Sequence, residues 1–251
     1  MLLVLLVAGV HVASALLLST HTHDLHTRKT IPTSPAQLIT RLRGIDVPAA
    51  RRGRAHFLRS SADNGGGGAH RAGLCPVKAT RKWVEQIVVG LNLCPWARAA
   101  LDDNLVNIKA SKAENVDDLV KEIKNELVRL ASPACKETSI IVTETLLEDF
   151  DDYMDAVDRV ESAIEELDLD GVLQLASFHP SYQFAGTKMT DAENWTNRSP
   201  FPSFHILKED DVEKALEGYS QPEQVYERNI RLMKEKGHAS MAALLQSVMQ
   251  Q

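Results

Sequence analysis

The chain has 251 residues, 44% of them hydrophobic, with 28 Lys and Arg against 34 Asp and Glu for a formal net charge of −6. That average joins two unlike parts: residues 1–74 hold 9 Lys and Arg against 3 Asp and Glu, and residues 75–251 hold 19 against 31. The acidic part argues against a nucleic-acid partner, because phosphate backbones need clustered cations, and three scattered cysteines exclude a disulfide framework or a four-cysteine zinc site.

Residues 2–18 are apolar apart from Gly9, His11 and Ser14, and Ala13-Ser14-Ala15 supplies the small residues of a signal-peptidase site. No Lys or Arg precedes the run, and it sits at the lower limit of the roughly 17–25 residues that span a bilayer. A cleaved signal-peptide-like segment, 1–18, is therefore expected rather than an anchor, with no stable membrane association after cleavage. Residues 19–74 are rich in Ser, Thr and Arg, poor in acids, and end near the flexible run Gly65 to Gly68, which predicts a disordered, transit-peptide-like basic linker. A signal followed by a transit-like stretch resembles the bipartite presequences of proteins entering plastids acquired by secondary endosymbiosis. A plastid location is the expectation, with a secreted or endomembrane-lumen protein as the alternative.

The chain from residue 75 onward is long enough for a single globular domain. A first helix is predicted with Thr80 as its cap and Trp83, Val84, Ile87, Val88 and Leu91 on one face. A first strand spans 105–109. The second helix starts behind Asn115 and carries Val116, Leu119, Val120, Ile123, Leu127 and Leu130 until Pro133. A second strand, 138–143, contains the continuous apolar run Ile140-Ile141-Val142, which suits a strand covered on both faces. The third helix follows Asp149, with Phe150, Tyr153, Val157, Val160, Ile164 and Leu167 in alternating steps of three and four. Two further strands, 172–178 and 203–207, precede a helix near Asp210 and another whose Ser220 and Glu223 have capping-box spacing and which ends at Gly237. A last short helix over 241–249 has too weak a periodicity to predict. This order defines an α/β or α+β fold, a sheet of about four strands packed with helices.

Four segments carry chemistry-bearing residues. In Asn92-Leu93-Cys94-Pro95-Trp96, Pro95 fits the first position of a helix continued by Ala97 to Leu101. Cys94 would then be an N-cap, where free amides and the helix dipole favour thiolate; the bland alternative is a buried cysteine. In Ser177-Phe178-His179-Pro180-Ser181-Tyr182, His179 follows the end of a strand, where crevices form in open α/β sheets. It is either an acid, base or ligand there, or a histidine packed under a loop. The third segment, Asn197-Arg198-Ser199-Pro200, leads into the strand carrying His205, and Arg198 offers a planar fork for carboxylate or phosphate. Asn194 and Asn197 also begin overlapping glycosylation sequons, the poorer reading of so rigid a loop. The fourth is Glu227-Arg228-Asn229-Ile230, from which Arg228 could aim a second cation at the same crevice. The segment between Thr187 and Asn194 is expected to be a mobile lid. The acids from Glu144 to Asp158 read as a solvated helix face and not as a metal site.

These blocks, together with Gln183-Phe184-Ala185-Gly186-Thr187, resemble the signature blocks of a mainly bacterial group catalogued as domain of unknown function 1415, over roughly residues 78–237. Trp96 stands where the family pattern leads one to expect phenylalanine. The resemblance implies no activity, cofactor or catalytic residue.

Three hypotheses follow from the residues themselves. In the first, a small-molecule enzyme uses Cys94 as thiolate nucleophile with His179 or His205 as acid–base partner. Arg198 and Arg228 hold an anionic substrate, assisted by Tyr182 and Asn229, while Asn197 and Ser199 donate to an oxyanion. In the second, Cys94, His179 and His205 bind a transition metal. In the third, the domain is a non-catalytic module for an anionic metabolite. The first two require Cys94, His179, Arg198 and His205 to meet in one pocket.

Overall fold

The computed structural model describes residues 74–217 and 223–250. The predicted signal-like segment 1–18, the transit-like linker up to residue 73, and the capping box at Ser220 lie outside the described residues. Helix α1 (Pro76–Trp83) begins one turn earlier than its predicted cap, because Pro76 occupies the first helical turn behind Cys75, where its missing N–H costs nothing. Thr80 is instead a buried mid-helix residue. The helix widens into a π-helical turn, Val84–Val89, and after an irregular stretch comes the short α2 (Ala97–Asp102).

The remaining strands and helices up to α6 follow the predicted order, and a 3-10 turn and a last helix that the sequence did not predict join them: β1 (Val106–Ala110), α3 (Val116–Leu130), β2 (Thr138–Val142), α4 (Phe150–Glu166), β3 (Leu173–Phe178), the 3-10 turn (Ala192–Thr196), β4 (Ser203–Lys208), α5 (Glu209–Glu217), α6 (Glu223–Lys236) and α7 (His238–Met249). The caps of α3 and α4 form as the sequence implies: Asn115 accepts from the Asp118 amide, and Asp149 from the amides of Asp151 and Asp152. Each satisfies amide donors that the first helical turn leaves open.

The four strands form one mixed sheet in the order β1-β2-β4-β3. β1 and β2 are parallel, and β4 is antiparallel to both β2 and β3, so β1, β2 and β3 all run in one direction. Strand alternation divides the core in two. Ile141, Leu173, Leu175, Phe204 and Ile206 face α3 and α4, where they pack with Leu119, Ile123, Tyr153 and Val160. Ile108, Ile140, Val142, Ala176 and Phe178 face the opposite layer, built from α1, the π turn, α6 and α7. The run Ile140-Ile141-Val142 is thus covered on both sides, as its lack of alternation requires. A small satellite core joins Val212 and Leu216 of α5 to Trp96 and Leu207.

An ionic cluster around the buried carboxylate of Glu126, with half-exposed cations, fastens α3 to the sheet. Glu126 accepts from Lys109 of β1 at 2.7 Å, from Arg129 at 2.8 Å and from the hydroxyl of Ser139 on β2. Arg129 also pairs with Glu137 at 2.8 Å. Burial alone would raise the Glu126 pKa, but the combined bonds from Arg129, Lys109 and Ser139 overcome it and hold the carboxyl at about 2. No helix among the described residues is long and apolar enough to cross a membrane.

Candidate functional site

A cavity of about 700 Å³ opens on the α1 face of the sheet. Its floor comes from the first residues of β1 and β2 (Val106, Thr138, Ile140), from His205 and Leu207 of β4, and from Phe178. Trp83, Val84 and Val88 form one wall, Cys94 and Trp96 with Ala97 and Ala100 of α2 another, and Val212 and Ala215 of α5 a third. The charged residues around it, Asp103, Lys136, Asp210, Asp211 and Lys214, are exposed and mark its mouth, whereas Trp83, Val84, Ile140 and Phe178 are buried. The cavity is therefore an apolar chamber with a charged entrance of mixed sign.

Cys94 reaches the cavity by a route other than the predicted one. The N-cap of α2 is Trp96, whose backbone is already helical, and Cys94 lies two residues earlier. Pro95 sits in the turn before the helix, and the Cys94 carbonyl accepts from the Ala97 amide at 3.2 Å. What positions the cysteine is the preceding loop. The π turn places the Gly90 amide on the Glu85 carbonyl and the Leu93 amide on the Val88 carbonyl, and Asn92 takes a left-handed φ of 52°. A Cβ on Gly90 would collide with the carbonyl oxygen of Gln86. From α6, Asn229 donates to the Leu93 carbonyl at 2.8 Å, and Arg228 donates to the Asn92 carbonyl and to the Asn229 side chain at 2.7 Å. Arg228 and Asn229, expected to bind substrate, therefore brace the backbone that presents Cys94.

His205 is the second predicted residue in the cavity wall. The Thr138 hydroxyl donates to the Ile206 carbonyl at 2.6 Å and lies 2.8 Å from His205 Nε2. A hydroxyl has one proton to give, so its oxygen accepts here and Nε2 is the protonated nitrogen. Nδ1 is left as the acceptor, with no partner among the described residues. Burial pushes the pKa of this imidazole from the usual 6.5 to about 3, so it is neutral at pH 7.

The other predicted site residues lie elsewhere. His179 is fully buried, with its Nε2 3.0 Å from the Leu147 carbonyl and its Nδ1 accepting from the Ser181 amide at 3.0 Å. The proton therefore sits on Nε2, and the ring packs against Phe150 and Tyr153 at centroid distances of 5.3 and 5.0 Å. Of the two readings of this histidine, the structure shows the one packed under a loop. Arg198 is buried too, its guanidinium donating to the carbonyls of Tyr182 (3.2 Å) and Met189 (2.7 Å) and lying 4.6 Å from the Trp195 ring centroid. Asn197 donates to the Ser177 carbonyl at 3.1 Å, and Ser199 to that of Phe201 at 2.6 Å. Tyr182 packs edge-on against Phe150 and Phe184.

None of these five lines the cavity. The predicted lid is pinned as well, since Asn194 accepts from the Phe184 amide and the Thr187 hydroxyl and donates to the Lys188 carbonyl. Among the described residues no three His, Cys, Asp or Glu side chains gather as a metal site would need. The convergence of Cys94, His179, Arg198 and His205 that the enzyme and metal readings required is not found: only Cys94 and His205 line the cavity, so the four-residue site fails and any catalytic reading rests on these two alone. Sequence reasoning missed Thr138 and Trp83, although a polar residue opening an otherwise apolar strand and an aromatic on the helix stripe were both visible.

The fold and cavity define a mixed α/β domain with a partly open, largely apolar site whose wall carries Cys94 and a neutral imidazole. Residues 76–243 match the family model described as "Protein of unknown function (DUF1415)", and the chain belongs to that family. No curated protein and no solved structure gives a significant match.

Proposed function

We propose that the domain is a small-molecule enzyme whose substrate enters the cavity and meets Cys94 as the nucleophile. The observation that supports this is the presence of Cys94, from the loop before α2, and His205, from the inner strand β4, in the wall of one cavity. His205 enters as a neutral acceptor. A ring at about 3 does not form a resting imidazolium pair with the thiol, so His205 orients the substrate and does not store the thiol proton. The anionic substrate expected from the arginines needs another anchor, because neither Arg198, which donates to loop carbonyls, nor Arg228, which bonds the Asn92 carbonyl and the Asn229 side chain, lines the cavity. On this reading an anionic group stays at the mouth, within reach of Lys136 or Lys214, and the apolar body goes inside.

A metabolite library screened by thermal shift tests the proposal, since a ligand specific to the folded form raises its melting temperature. Hits should stabilise the wild type, protect Cys94 from alkylation, and lose their effect in Ala100→Trp, which fills the chamber. Hits that bind equally well to the blocked variant would overturn it. Turnover should vanish in Cys94→Ser while binding persists. The low basicity of His205 favours a second reading, a binding module, and hits recovered chemically unchanged from the wild type would select it. The plastid destination remains a proposal of ours, checked by where a fluorescent fusion of residues 1–74 accumulates.

A further inference from the structure

The polar groups of the chamber fix the kind of ligand it selects. Three facts bear on this, and all rest on reading the cavity as the ligand site. First, the Thr138 hydroxyl gives its one proton to the Ile206 carbonyl and accepts from His205 Nε2, so it has no donor left to offer a guest. Second, the indole nitrogen of Trp83 is sealed from solvent and adds no donor to the chamber surface. Third, His205 is only partly buried and lines the chamber, and the strand register holds its backbone between Ile140 and Ala176. The other tautomer would require the Thr138 hydroxyl to turn its proton from the Ile206 carbonyl to Nε2, so while the Thr138–Ile206 bond holds, the ring carries its proton on Nε2. Its Nδ1 lone pair is therefore a fixed acceptor in a wall that is otherwise largely hydrocarbon.

We infer that the chamber selects an uncharged, largely apolar ligand group bearing an N–H or O–H donor, which bonds to Nδ1 of His205. Thr138 is the positioning residue that makes the imidazole an acceptor and not a donor. A ligand of the same shape with an ether oxygen in place of the donor would set two lone pairs against each other at the His205 wall. That mismatch disfavours it even though its apolar contacts are the same.

Indole and benzofuran test this directly, because they share size and shape and differ by N–H against O. Calorimetric titration of the full chain at pH 7 should show indole binding about three- to tenfold tighter than benzofuran, the ratio that one net hydrogen bond supports. In Thr138→Val, Nε2 loses its fixed acceptor and the imidazole is free to change tautomer, so the ratio should collapse toward one. The melting temperature of the variant confirms that it is folded. Equal affinities in the wild type, or a preference for benzofuran, would overturn the donor assignment while leaving the cavity as a ligand site. A preference for indole that survives unchanged in Thr138→Val would overturn the role of Thr138. If neither compound binds the wild type, or both bind Ala100→Trp as tightly as the wild type, the cavity reading falls and the inference with it.

Discussion

The two histidines at the sheet show how differently two regions of this domain spend their polar groups. At the C-terminal end of β3, His179 has both ring nitrogens engaged by neighbouring backbone, and Asn194, Asn197 and Arg198 around it are likewise bonded to loop carbonyls and amides. On the other side of the sheet's midline, where β1 and β2 begin, His205 makes one bond and faces an open chamber. Dense polar residues between prolines build the rigid loop, and the vacant space opens where bulky apolar residues leave a gap. Chemistry-bearing composition is thus a guide to order at one end of the sheet and to a site at the other.

Three substitutions sharpen this contrast. Arg198→Ala should have the largest effect, because it strips two buried carbonyls of their donor and leaves a void beside Trp195. A loss of about 2–4 kcal/mol in urea unfolding is expected, with ligand affinity at the chamber unchanged. An intact stability with lost binding would reverse the roles assigned to the two regions. Glu126→Gln comes next. The native carboxyl titrates at about 2 against 4.5 in an unstrained chain, so its contribution is complete above pH 4.5 and is lost as the pH falls through 2. The variant should be about 2 kcal/mol less stable at pH 7, and the gap should narrow from pH 5 downward. A gap independent of pH would show that packing, and not charge, matters at Glu126. Cys94→Ser should have the smallest effect, within about 1 kcal/mol of the wild type in stability, because its thiol packs only partly buried at the cavity wall. The same variant should abolish ligand-protected alkylation at that position, which intact-mass spectrometry reads.

The sequence carried most of the architecture and less of the site. The stripes of α3 and α4, their caps at Asn115 and Asp149, and the doubly covered strand around Ile141 were all legible, because periodicity and capping are local properties. The start of α1 was not: Thr80 and Pro76 both suit a helix start, and the apolar layer beneath decided for Pro76. The site was harder because it depends on strand order. Nothing in the local pattern says that β4 inserts antiparallel between β2 and β3, yet that insertion alone brings His205 against Thr138 and away from His179. Arg228 and Asn229 were visible as polar residues on a helix, but their partners are the Asn92 and Leu93 carbonyls, and backbone acceptors leave no trace in composition.

The widened turn at Val84–Val89 has a further meaning for the domain's lineage of possible variants. One surplus residue in a coil of this kind rotates everything after it by about a quarter turn or slightly more around the axis. Excising a single residue between Val84 and Gly90 would restore a regular coil and swing the sulfur of Cys94 out of the hollow, while the sheet beneath stayed whole. The thiol's compass bearing is thus set by an offset in backbone phase, and a one-codon deletion there would separate folding from chemistry more cleanly than any exchange of side chains.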